Sequence, residues 1–118
     1  MTRSTTSFDS GDVILVRFPF TDLSGAKQRP VVVLSTVAYS ARFGDLIVMP
    51  LTSQPQPDSA LALADWRSAG LLRPTWVKPL IASVTHHVVA RAVGRVAAAD
   101  VPAVQHAVRV MTDRQWLT

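Results

Sequence analysis

The chain has 118 residues, 48% of them hydrophobic, enough for one compact core and against intrinsic disorder. It has no cysteine, which excludes disulfides, a thiol nucleophile and cysteine-based zinc sites. Twelve Lys and Arg stand against eight Asp and no Glu, a net charge of +4 that suits a polyanionic partner, although an Arg-rich composition alone equally fits genome bias.

Residues 1–10 lack the apolar stretch of a secretory signal and read as a flexible lead-in, with residues 11–118 as a single domain. No apolar run approaches the length of a membrane span, so the expectation is a cytoplasmic protein.

Gly11-Asp12 opens Val13-Ile14-Leu15-Val16-Arg17-Phe18, a β-branched and aromatic run that predicts a strand. Pro19 cannot donate to a ladder, so pairing should falter there. Thr21 to Gln28 is polar, aperiodic and long for a connection between adjacent strands, which marks it as a candidate functional loop. Arg29-Pro30 then leads into Val31-Val32-Val33-Leu34-Ser35, a strand expected to be buried on both faces.

A connector containing Tyr39 and Gly44 leads to a third strand, Asp45 to Leu51, and then to a Pro/Gln-rich loop, Thr52 to Asp58. Ser59 to Ala64 alternates weakly, as a short strand would. Asp65 can cap a single turn, Trp66 to Ala69, stopped by Gly70. Thr75 to Lys78 and Val84 to Val93 predict further strands, the second ending at Gly94. Asp100 is positioned to N-cap a terminal helix with Pro102 in its first turn and Val101, Val104, Val108 and Met111 as its buried stripe. These elements predict a small, strongly bent sheet or partly open barrel with one helix packed on it.

Metal chemistry needs clustered ligands. His86 and His87 are neighbours in a predicted strand, hence on opposite faces, and His106 lies on the terminal helix. No metal site and no cofactor are expected, and phosphate-gripping glycine loops and nucleophile elbows are absent from the sequence. What remains lies at loop–strand junctions: Arg29, and the Thr52-Ser53-Gln54 run. From position alone Arg29 reads as an exposed loop cation, and the hydroxyls of Thr52 and Ser53 as turn-formers.

Two runs change that reading. Gly11 to Asp22 followed by Lys27-Gln28-Arg29-Pro30-Val31-Val32-Val33-Leu34-Ser35 resembles the opening of the MazF/PemK-type toxins. Val48-Met49-Pro50-Leu51-Thr52-Ser53-Gln54 is similar to their second signature, and Trp76-Val77-Lys78 and Val93-Gly94-Arg95-Val96 fit the same order. The resemblance spans nearly the whole chain. It implies an SH3-like β-barrel with a C-terminal helix, a homodimer, and a cognate antitoxin. It also implies metal-independent, sequence-specific cleavage of single-stranded RNA to 2′,3′-cyclic phosphate and 5′-OH ends, which would arrest translation and growth.

Carried onto this sequence, the resemblance makes Arg29 and Thr52 catalytic. Phe20, Lys27, Gln28, Ser53, Gln54 and Lys78 become RNA contacts. The chemistry is coherent, because the substrate's own 2′-OH is the nucleophile and a guanidinium can stabilise charge on the phosphoryl oxygens. The chain departs from the family at Leu23 and Ser24, where some members offer a His or an acid, and at Lys78-Pro79-Leu80, where some place an Arg and an acid. Those departures leave the general base unassigned. Competing readings are a CcdB-like toxin of the same fold that binds DNA gyrase, and a non-catalytic RNA-binding barrel.

Overall fold

In the computed structural model, residues 7–17 and 27–113 are described. The expectations for Phe18, Pro19, Phe20 and the loop residues 21–26, Leu23 and Ser24 included, lie outside them.

Six strands form one antiparallel sheet: β1 (Asp12–Arg17), β2 (Gln28–Val33), β3 (Asp45–Thr52), β4 (Trp76–Val77), β5 (Ala82–Thr85) and β6 (Val89–Arg95). Their order is β4-β3-β2-β1-β6, with β5 on the same edge of β3 as β4. The expected class, mainly β with a C-terminal helix, is the observed one. Among the described residues no ladder joins β6 to β4 or β5, so closure into a barrel is not seen.

Strand alternation divides the core into two clusters. Val13 of β1, Val32 of β2 and Met49 and Leu51 of β3 share one. Ile14 and Val16, Val31 and Val33, and Leu46 and Val48 share the other. The central strands are therefore buried on both faces, which is why β2 reads as an unbroken apolar run. Full burial of each such side chain stabilises the fold by about 1.5–3 kcal/mol.

The terminal helix, α2 (Val101–Thr112), covers the first cluster. Its innermost residues are Ala103 and Ala107, with Val104, Val108 and Met111 flanking them. Val101, placed on the buried stripe by its spacing, is exposed. Ala103 and Ala107, rather than the stripe of larger side chains, form the centre of the helix's buried face.

The connector before β3 contains a short helix, α1 (Val37–Phe43), that hydropathy does not reveal because none of its residues is buried. Thr36 caps it by accepting from the Tyr39 amide (3.1 Å), and Gly44 ends it at a φ of +86°.

Three further expectations are corrected. Ser59–Leu61 is a 3-10 turn rather than a strand, started by the Asp58 carboxylate accepting from Ala60 N–H; only Ala62 bridges to Trp76. The strand expected from Val84 to Val93 is broken by a 3-10 turn, His86–Val88, and its second part, β6, continues through Gly94 to Arg95. Because of that turn, the His86 and His87 rings do not point to opposite faces; their centroids are 4.3 Å apart.

Asp100 occupies the N-cap position of α2, but its side chain does not cap the helix. The carboxylate is buried and accepts from the amides of Ala64 (2.7 Å) and Asp65 (2.8 Å), tying the helix start to the turn around residue 65. That turn forms as expected, with Asp65 bonded to Ser68 and Gly70 at a φ of +85°. It sits against β6 so closely that a Cβ on Gly94 would lie 2.4 Å from the Ala69 carbonyl oxygen. No helix among the described residues is long and apolar enough to cross a membrane.

Candidate functional site

Arg29 lies within β2, and Thr52 is the last residue of β3. The ladder between them pairs Val33 with Val48, Val32 with Met49 and Val31 with Pro50. The ladder ends there; continued two residues past its last pair, the same register sets Arg29 opposite Thr52. Residues opposite one another on an antiparallel register share a face of the sheet. Arg29 is also the ladder partner of Val16 on β1, so β2 is paired on that side as well. Both Arg29 and Thr52 are half-buried.

The Thr52 hydroxyl oxygen accepts from the Gln54 amide (3.1 Å), a turn that starts the Pro/Gln-rich loop. Its hydrogen stays available to another acceptor, since the hydroxyl donates independently of the lone pair used here. Thr52 also pairs with Trp76 of β4. Trp76 packs on the first core cluster, so it is not a free stacking surface.

The other nominated residues fall around the same end of the sheet. Lys27 and Gln28 are exposed at the entry to β2, and Ser53 and Gln54 are exposed at the exit from β3. Lys78 is half-buried just after β4, where its amide donates to the Pro50 carbonyl (2.9 Å) across the opposite edge of β3. Phe20 lies outside the described residues. Three cations, two hydroxyls and two side-chain amides thus lie at or next to the ends of β2, β3 and β4, residue types suited to an anion flanked by polar groups.

The far end of the loop carries a contact that sequence reading missed. Asp58 Oδ2 and His106 Nε2 are 2.6 Å apart, joining the loop to α2. The His106 hydrogen bond, and after it the Ala60 amide, hold the Asp58 carboxyl below its ordinary value. Residues separated by 48 positions leave no local pattern to read.

A cavity of about 760 Å³ lies elsewhere, between α2 and the start of β1, lined by Val33, Leu34, Arg95, Val104 and Val108 among others; it includes neither Arg29 nor Thr52. No group of three or more His and Asp side chains able to hold a metal ion occurs among the described residues.

A family profile described as PemK-like, MazF-like toxin of type II toxin-antitoxin system matches residues 9–112. The fold is similar to that of the Mycobacterium tuberculosis toxin MazF-mt6, with a TM-score of 0.69 and 20% identity over 86% of this chain and 96% of that one. An endoribonuclease from Mycobacterial species gives a TM-score of 0.71 at 16% identity, covering 97% of this chain and 99% of its own. A MazE-MazF crystal structure from Deinococcus radiodurans gives 0.69 at 17% identity, covering 91% and 97%. At these identities the structural likeness is one of fold. No curated protein sequence matches significantly.

Proposed function

From the premise that the chain belongs to the PemK-like, MazF-like toxins of type II toxin-antitoxin systems, we propose that it is an endoribonuclease that cuts single-stranded RNA with Arg29 and Thr52. The observation that carries this reading is the β2–β3 register, which, continued past Val31–Pro50, sets those two residues opposite one another. The endoribonuclease with the same fold supports it.

In this mechanism the ribose 2′-oxygen attacks the adjacent phosphorus and gives up its proton to solvent or a base. The P–O5′ bond breaks, and the departing oxygen takes a proton. The products are a 2′,3′-cyclic phosphate and a 5′-OH. Negative charge builds on the non-bridging oxygens as the phosphorus becomes five-coordinate. Arg29 supplies forked donors for that charge, and its pairing with Val16 of β1 limits the movement of its backbone. Thr52 donates its hydroxyl hydrogen to the phosphate or the 2′-oxygen and holds attack in line. Lys27, Gln28, Ser53, Gln54 and Lys78 then bind flanking phosphates and bases, with Phe20 as a further contact.

The protein acts in the cytoplasm, as a homodimer restrained by a cognate antitoxin, in keeping with the MazE-MazF complex among structures of this fold. An acidic, extended antitoxin segment would compete with RNA for the same cations.

The test is to map cut sites on a long, defined RNA in the presence of EDTA and identify the ends. Cyclic phosphate and 5′-OH ends are expected. Uncut RNA, or activity that EDTA abolishes and zinc or manganese restores, would refute the proposal.

A further inference from the structure

The loop that leaves Thr52 is held at both ends by side chains. At its start, Thr52 accepts from the Gln54 amide, and Gln56 Nε2 donates to the Gln54 carbonyl at 3.1 Å. At its end, the Asp58 carboxylate divides its two oxygens. One accepts from Ala60 N–H at 2.9 Å, and the other meets His106 of α2 at 2.6 Å. Between these ties, Pro55 and Pro57 restrict the backbone, while Ser53, Gln54, Pro55 and Pro57 are exposed. A stiff, polar, exposed loop next to a phosphate-binding end is placed to meet bases, and the Gln54 amide can both donate to and accept from a base edge.

The His106–Asp58 contact ties the end of this loop to α2, just before the Ser59–Leu61 turn whose Leu61 is seated in the core. His106 sits on α2 between Ala103 and Ala107, the two residues seated against the sheet, so its backbone is well fixed. The Asp58 side chain has 44% of its surface exposed and His106 37%, so the pair is accessible and its burial contributes little to the core. Such a contact constrains a loop more than it stabilises a fold.

We propose that His106, acting through Asp58, is a positioning residue that holds the Ser53–Pro57 loop in its RNA-reading shape and so sets which sequences are cut. The inference rests on the assignment of RNA cleavage to Arg29 and Thr52. It concerns substrate choice rather than bond breaking, because neither His106 nor Asp58 is placed on the reacting phosphate.

The experiment compares full-length wild type with His106→Ala, His106→Gln and Asp58→Asn. Amide hydrogen exchange is measured at Gln54 and Ala60 without RNA, and KM, kcat and the cut-site distribution are measured on one defined RNA. His106→Ala should speed exchange at both amides and add cuts at sequences that wild type rejects. It should raise KM roughly threefold to tenfold with kcat changed by less than about twofold. His106→Gln, which keeps a hydrogen-bond donor, should recover part of both effects, and Asp58→Asn should resemble His106→Ala in KM and cut sites. A folded His106→Ala protein with wild-type exchange, or with wild-type KM and cut sites, overturns the inference. If wild type cuts no RNA, the cleavage assignment fails and takes substrate choice with it, while the exchange comparison still decides whether His106 holds the loop.

Discussion

Arg29 on β2 and Thr52 on β3 are opposite positions of one antiparallel register, continued two residues past Val31–Pro50, the last pair of the ladder. They are 23 positions apart in sequence, and the pairing of β2 with β3 sets them at the same end of the sheet. A one-residue slip of that register would set Arg29 opposite Leu51 or Ser53 instead of Thr52.

If this pair performs the cleavage, Arg29→Ala should slow single-turnover cutting about a hundredfold or more, equivalent to roughly 3 kcal/mol of lost transition-state stabilisation. Arg29→Lys should recover only part of the rate, since one ammonium cannot reproduce a planar fork. Thr52→Ala should cost about tenfold to a hundredfold, and Ser53→Ala less. A folded Arg29→Ala protein that cuts at the wild-type rate would remove Arg29 from the mechanism.

The contact between the turn at Gly70 and β6 should be intolerant of any side chain. A Cβ on Gly94 meets backbone atoms of Ala69 at 2.4 and 2.8 Å, and backbone cannot move aside cheaply. Gly94→Ala should therefore lower unfolding free energy by about 2 kcal/mol or more in urea denaturation. Gly44→Ala is the control, because nothing lies within 4 Å of its Cβ and only its φ of +86° is strained. That change should cost about 1 kcal/mol. Equal losses from the two substitutions would show that the close approach is unimportant.

Asp100 should be a larger contributor to stability than its helix-cap position suggests. Its buried carboxylate receives two backbone amides from residues 64 and 65. Removing it in Asp100→Ala leaves both donors without their partner, a loss of about 2–4 kcal/mol. Asp100→Asn should lose less, because one oxygen remains to accept. Urea midpoints for the three proteins decide the ranking, and an Asp100→Ala protein as stable as wild type would refute it.

Asp58 should titrate below its ordinary value of 3.8, because the hydrogen bonds from His106 and from Ala60 favour the ionised form. The folded pKa is depressed, so the contribution to stability is complete above the unfolded value. It is lost as pH falls through the lowered folded one. Carboxyl-carbon NMR of wild type should place the midpoint under 3.8, and His106→Ala should move it back upward. The stability difference between wild type and Asp58→Asn should shrink on acidification through the same range. A midpoint unchanged by His106→Ala would mean that His106 does not set it.

Local pattern carried much of this protein. The β-branched runs at Val13 to Val16, Val31 to Val33 and Leu46 to Val48 specify strands because apolar side chains on a pleat need burial, and the terminal helix follows from its spacing. The motifs around Arg29 and Thr52 resemble those of the toxin family, so the residues were nameable before their meeting was visible. Local pattern went wrong where a side chain found a distant partner or a turn competed with a strand. Asp100 has the composition and place of a helix cap, yet two amides of the 64–65 turn hold its carboxylate. His86 and His87 read as strand neighbours on opposite faces, and a 3-10 turn brings their rings together.

Residue type and short-range spacing are enough to say which segments can bury a face, and the order of the motifs is enough to point to the toxin family. Tertiary structure decided what meets what. Val31 of β2 pairs with Pro50 of β3, Ala103 and Ala107 rather than Val101 seat the helix, and His106 reaches Asp58 across 48 positions. Each of those contacts is fixed by the packing of elements far apart in the chain, and such packing leaves no mark in the spacing of neighbouring residues.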